Sequence, residues 1–228
     1  METLPAIRLA RHRAIVAVDI ECSTSRPDPV KGELRSKTYE MLDAALASAG
    51  IRKHHRDRFV DRGDGVLALI RPVDQAPKAL LLNCVIPALS RLLAEYNASL
   101  PRASRALRQL RVRVVVHAGE VRYDANGCFG EALDIAFRLL DAARLKKMLR
   151  ETAGSLILVI SGEIYSSVVR HGGGIDQRAF RPLVRVLVAG QRHVGWIHVP
   201  DEAAHVAVPE QAVPEQAVTD LASYRRPA

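Results

Sequence analysis

AIVAVDIECST at positions 14–24 is an aliphatic run that ends on an acid, and FVDRGDGVLAL at 59–69 places an acid just ahead of a second such run. A short apolar run bounded by polar residues is the pattern of a strand covered on both faces. The second stretch reads as two short strands joined at Arg62-Gly63-Asp64-Gly65. A glycine on each side lets the chain turn tightly and leaves the Asp64 carboxylate free. If the two stretches pair side by side, Asp19 and Asp64 converge and can hold divalent metal over a phosphate. A lone carboxylate beside AIVAV is costly without a partner, which favours ligation over a helix cap or a loop acid. Nucleotide-polymerising or nucleotide-cyclising chemistry is therefore the first expectation, ahead of plain binding.

Outward from these strands, residues 31–48 carry Leu34, Thr38, Met41, Leu42, Ala45, Leu46 and Ala49 near one helical face. A second helix is expected over 78–97, then a basic, polar stretch, LPRASRALRQ. RVRVVVH at 111–117 reads as a strand, GEVRY continues it and DANGC turns. One helix is expected over 131–148, with Leu133, Ala136, Phe137, Leu140 and Ala143 on its buried side. SLILVISGEIYSSV reads as a strand and a short helix starting near Ser161. The last strand pair is RPLVRVLV and VGWIHV, separated by AGQRH. Mixed strands and long helices in this order predict an α+β or α/β sandwich with helices over one sheet. VPEQA at 208–212 and again at 213–217, with a proline in each copy, predicts an extended, mobile tail. The expected division is an extension at 1–12, one catalytic domain at 13–200 and a tail at 201–228.

At 228 residues and 48% apolar, the chain can bury a substantial core, and with only 4% aromatics that core is aliphatic. The net charge of +8 suits a polyanionic nucleotide, a nucleic acid or an anionic membrane face. No zinc-finger pattern, RNP-like aromatic run or basic recognition helix accompanies it, so no direct nucleic-acid or membrane binding is expected. Three widely spaced cysteines without a CxxC point to a reducing cytoplasm. METLPAIRLARHR has no apolar stretch of signal-peptide length. KALLLNCVIPALSRLLAEY, broken by Asn83, Pro87, Ser90 and Arg91, reads as a buried helix of a soluble domain. Neither a P-loop nor a Rossmann glycine motif is present, and no zinc cluster or Ser-His-Asp arrangement is legible. His117 reads as a packed core histidine.

Around the two acids, the Ile20 carbonyl is placed to add a neutral oxygen ligand. Glu21, Cys22, Ser23 and Thr24 follow, offering amides and hydroxyls to phosphate oxygens. Asp134 and Arg138 stand i, i+4 on a helix, where an intrahelical ion pair is the plain reading. The functional alternative has Asp134 orienting a sugar and Arg138 stabilising charge on an α-phosphate. Arg58 and Arg62 flank the Asp64 turn and either meet phosphate or solvate the surface.

VAVDIECST, RGDGVLAL and VVVHAGEV…GCFGEALDIAFRL together resemble the catalytic domain of class III nucleotidyl cyclases, over roughly residues 13–200. The resemblance implies an α+β fold with a ferredoxin-like βαββαβ core, its mixed or antiparallel sheet covered by helices. It implies a homodimer with active sites at the interface and two Mg²⁺ or Mn²⁺ ions that help turn a nucleoside triphosphate into a 3′,5′-cyclic nucleotide. Asp19 and Asp64 fall on the metal aspartates and Arg138 on the transition-state arginine, while Asp134 stands where the family has asparagine. Val60 and Gly127 occupy the positions that read a purine, with Cys128 one residue off, and match neither the adenylate nor the guanylate pattern. Among Arg185, Arg192 and His193, Arg192 is taken as the triphosphate contact near the last strands. The chain further resembles the bacterial pyrimidine cyclases of Pycsar antiviral defence. That implies UTP as substrate and cyclic UMP as a second messenger for a separate effector, often membrane-associated in that group. The rival readings are a cytidylate cyclase, a conventional adenylate or guanylate cyclase, and an inactive nucleotide-binding homologue.

Overall fold

A computed structural model describes residues 9–172 and 174–200. The tail expected at 201–228 and most of the extension expected at 1–12 lie outside the described residues. The elements run β1 Arg11–Ile20, α1 Asp28–Ser48, β2 Val60–Asp61, β3 Gly65–Ile70 and α2 Lys78–Ser99. They continue with α3 Arg102–Arg108, β4 Val112–Asp124, β5 Gly127–Phe129, α4 Glu131–Leu140 and α5 Ala143–Glu151. β6 Leu156–Ser161 leads into a short helical segment, and the hairpin of β7 Arg181–Val188 and β8 Gln191–His198 follows.

The sheet order is β2-β3-β1-β4-β6-β8-β7, with β5 paired to the outer part of β4. Its first half, β1-α1-β2-β3-α2-β4 in the order β4-β1-β3-β2, is the expected ferredoxin-like βαββαβ unit. β1 lies between β3 and β4, antiparallel to both, and among the described strands only the β4–β6 pair is parallel. The continuous apolar runs follow from this position, because each central strand is covered twice. Val16, Val18, Val66, Ala68, Val114 and Val116 face α1 and α2, while Ile15, Ala17, Leu67, Leu69 and Val115 face α4 and α5. Among the described residues, α2 is the one helix long and apolar enough to cross a membrane. Its Leu81, Val85, Ile86, Leu89 and Leu93 are all buried in the core, as expected of a core helix.

Three local expectations need correction. The helix expected over 131–148 is two helices, because Ala142 takes extended backbone and restarts the chain at a new angle. That turn buries Leu145 and Leu149 completely and leaves Ala143 exposed. Neither glycine nor proline marks the break, so periodicity runs through it. The basic stretch contains α3, set off by Pro101 at its N-cap. β8 begins at Gln191, not Val194, because Ala189 and Gly190 (φ +46° and +78°) close a two-residue hairpin turn.

Gly65 is the glycine on which the sheet depends. A β-carbon there would overlap the Val18 carbonyl oxygen, so β1 and β3 can approach only with glycine at this position. Gly65→Ala is expected to destabilise by roughly 1–3 kcal/mol through this overpacking. Gly32→Ala, at an exposed position in α1 with nothing within 4 Å of the new carbon, is expected to stabilise; the gain is about 0.5–1 kcal/mol. Urea unfolding of the two variants checks both signs.

Candidate active site

Register places the two acids together. Asp19, one residue from the end of β1, lies opposite Gly65 on β3 and opposite Arg113 on β4. Asp64 directly precedes Gly65, in a turn closed by the Arg62 amide donating to the Gly65 carbonyl at 3.1 Å. Gly63 takes φ +74° there, and its amide donates to Asp61 Oδ1 at 3.0 Å. The Ile20 amide donates to the Asp64 carbonyl at 3.1 Å, tying the end of β1 to the turn.

These acids open on a cleft of about 690 Å³. Arg113 lines it from β4, Arg62 from the turn, and Asp134, Phe137 and Arg138 from α4; Leu187 and Ala189 of the β7–β8 hairpin close its far side. Asp134 and Arg138 are both exposed and make no ion pair with each other among the described residues, so the plain reading of their spacing is not realised. The Arg113 guanidinium forms an ion pair with Asp19. Burial pushes the Asp19 carboxyl above its ordinary range, Arg113 pulls the other way, and the nearby Asp64 charge adds to the rise. Arg62 lies over the Phe137 ring, 4.1 Å from its centroid. Its charge also reaches Cys128, whose thiol burial pushes up and Arg62 pulls down.

The remaining expected residues stand outside the cleft wall. Glu21 is largely buried in an ion pair with Arg111 at 3.3 Å, and its amide donates to the Arg111 carbonyl at 2.8 Å. Cys22 is exposed at φ +55°, Ser23 is buried and Thr24 exposed, in a single helical turn at the end of β1. Val60 is half-buried against the α4-side core, Gly127 is exposed at φ +142° in β5, and Arg192 is exposed in β8. His117 is buried at hydrogen-bond distance, 2.7 Å, from Ser161 Oγ. Desolvation holds its pKa down to about 4, the state of a packed core histidine.

Sequence reasoning missed Arg113 and the Arg62–Phe137 stack. A charge inside RVRVVVH was the available signal for Arg113, and its meaning required the β1–β4 register. The donor set suits a hard divalent cation. Two carboxylates share one mouth, a guanidinium already supplies Asp19 with positive charge, and phosphate oxygens can complete a shell. No group of three or more His, Cys, Asp or Glu side chains is gathered among the described residues, so a closed, all-protein metal cage is not on offer there.

No protein-family model matches the chain, and no curated protein matches it either. Solved structures do. The guanylyl cyclase Cya2 is 15% identical with a TM-score of 0.56, over 86% of this chain and 96% of that one. An adenylate/guanylate cyclase/hydrolase from Silicibacter pomeroyi is 19% identical with a TM-score of 0.57, over 84% and 98%. The adenylyl cyclase CyaB from P. aeruginosa is 14% identical with a TM-score of 0.55, over 84% and 96%. The chain therefore has the α+β fold of the class III adenylate and guanylate cyclases, over nearly the full length of each.

Arg113→Ala leaves the Asp19 carboxylate half-buried without its counter-charge. The metal-free protein is expected to lose on the order of 1–3 kcal/mol. Mn²⁺ should then raise its melting temperature more than it raises that of the unaltered protein, while Asp64→Ala should lose most of the Mn²⁺ response. Thermal unfolding with and without Mn²⁺ measures all three; equal Mn²⁺ shifts in every form would contradict metal binding at this mouth.

Proposed function

We propose that this chain is a nucleotidyl cyclase that converts UTP to 3′,5′-cyclic UMP and pyrophosphate. The observation that carries the proposal is the convergence of Asp19 and Asp64 on a cleft that Asp134 and Arg138 also line. Asp19, Asp64 and the Ile20 carbonyl would hold two Mg²⁺ or Mn²⁺ ions. Bound there, such ions make the 3′-hydroxyl a better nucleophile and neutralise triphosphate charge. The 3′-oxygen forms a bond to the α-phosphorus as the bond to pyrophosphate breaks. Arg138 supplies a fixed, always-charged fork to the oxygens on which charge grows. Asp134 accepts a hydrogen bond from a ribose hydroxyl and holds the sugar for attack. Arg113, freed from Asp19 when that carboxylate is otherwise neutralised, turns to the phosphates.

The choice of a pyrimidine rests on the sequence resemblance, in which Val60 and Gly127 stand at the purine-reading positions and carry no polar side chain; neither lines the cleft of the single chain. The messenger role, with cyclic UMP acting on a separate effector in antiviral defence, rests on the sequence resemblance and belongs to the same proposal. One observation favours a second reading: Asp134 cannot donate a hydrogen bond as the family's asparagine does, which suits a domain that binds nucleotide without turning it over.

Equimolar ATP, GTP, CTP and UTP with Mn²⁺, read out by the mass of the cyclic products, separate these readings. Cyclic UMP is expected to dominate, and to vanish in folded Asp19→Ala and Asp64→Ala. Predominant cyclic AMP or cyclic GMP would overturn the base assignment, and no cyclic product would favour the binding-only reading.

We further propose a homodimer whose partner closes each cleft. Leu187 on the cleft rim and Phe129 on the β4–β5 hairpin are 63% and 49% exposed, apolar surface that a partner would cover. The sequence resemblance implies acids of one subunit working with Arg138 of the other, whereas the cleft of one chain already gathers both. Mixing inactive Asp64→Ala with inactive Arg138→Ala separates the two, since only a site shared between subunits regains activity in heterodimers. The absence of rescue despite demonstrated subunit exchange would contradict shared sites.

A further inference from the structure

Val60 and Gly127, the two positions expected to read the base, stand outside the cleft wall, whereas a charged side chain two residues beyond Val60 lines it. Arg62 lies on the face of Phe137, 4.1 Å from the ring centroid, and both line the cleft. No carboxylate pairs with Arg62 among the described residues, whereas Arg113 is paired with Asp19. Stacking on an aromatic ring holds a guanidinium flat and leaves its N–H edge free to meet a ligand in the same plane. The guanidinium carries five N–H donors in all and no acceptor, so any edge it presents is donor-only.

We propose that Arg62, held on Phe137, reads the base and selects the 4-keto pyrimidine, uracil, over the 4-amino pyrimidine, cytosine. The inference rests on the reading of this cleft as a pyrimidine cyclase. With the guanidinium edge set against position 4 of the base, uracil presents there a carbonyl acceptor that a donor-only edge satisfies. Cytosine presents an amino group there, so two donors face each other and neither is paired. A polar site built for one pattern rejects the other through those unpaired groups, more strongly than an apolar pocket can reject by size. Phosphate binding is the competing use of Arg62, and it predicts a different pattern, because a phosphate contact weakens every nucleotide alike.

The test compares the unaltered protein with Arg62→Gln, Arg62→Lys and Phe137→Leu. Two quantities are measured with Mn²⁺: the UTP/CTP ratio of kcat/KM, and the ratio of dissociation constants for 3′-deoxy-UTP and 3′-deoxy-CTP, which lack the attacking hydroxyl. Arg62 is an exposed turn residue, so its variants should fold. Arg62→Gln is expected to lower the UTP preference about tenfold in both ratios, since an amide can offer its oxygen to the amino group. Arg62→Lys and Phe137→Leu should fall between. An unchanged preference, or equal losses for both nucleotides, would overturn the inference while a cyclic UMP product left the cyclase reading standing. Conversely, an Arg62-dependent preference between the deoxy-nucleotides with no cyclic product from the unaltered protein would overturn the cyclase reading and keep the base-reading role.

Discussion

Everything at the candidate site depends on how closely β1 can lie against β3. The Val18 carbonyl occupies the space a side chain at 65 would need, so glycine there is a condition of the pairing. With that contact made, the register follows, and Asp19 falls between Gly65 on one side and Arg113 on the other. Asp64 then has no freedom to sit elsewhere, because its carbonyl accepts from the Ile20 amide and its neighbour is already paired. A slip of one residue would turn Asp19 to the other face of the sheet, toward α1 and α2, among buried aliphatic side chains. The apolar cost of that slip keeps Asp19 on the cleft side of the sheet.

The arrangement also explains how an arginine-rich chain keeps charges inside its walls. A half-buried carboxylate at the end of a central strand is unfavourable alone, and Arg113 offsets that cost in the metal-free protein. A second knot works at the other end of β3. Burial alone would raise the Asp57 carboxyl, but hydrogen bonds from Arg13 Nε at 2.9 Å, Tyr123 at 2.7 Å and Arg71 at 3.3 Å outweigh it and hold it below its ordinary range. That knot fastens β1, β4 and the segment before β2 around one acid, leaving the Asp64 end to carry an acid whose charge is only partly compensated. The ion-pair knot and the candidate site thus occupy opposite ends of the same strands.

The helix break at Ala142 belongs to the same economy. α4 must lie across the sheet to bring Asp134, Phe137 and Arg138 to the cleft, and α5 must turn back to bury Leu145 and Leu149. One straight helix could not do both. The tight β7–β8 turn, with Ala189 in a left-handed conformation that alanine adopts at a cost, brings Leu187 and Ala189 to the cleft's far side.

Strand and helix identities were legible in the sequence because burial on two faces or on one leaves a periodic record. AIVAV, GVLALI and VRVVV are apolar throughout since helices cover both sides, and α1 repeats its buried residues at helical spacing. The convergence of Asp19 with Asp64 followed from the acids at the ends of those strands, whereas the ferredoxin-like unit was implied by the resemblance to the class III cyclases and not by the strand pattern itself. Arg113, the Arg62–Phe137 stack and the turn at Ala142 were not legible. An arginine inside an apolar strand does not say which carboxylate lies across from it, and a phenylalanine at helical spacing reads as core until its neighbours are known. Those meanings arise from contacts between residues far apart in the chain, which periodicity does not encode, and only the register of β1 against β3 and β4, with α4 laid across them, decided which charges share the cleft.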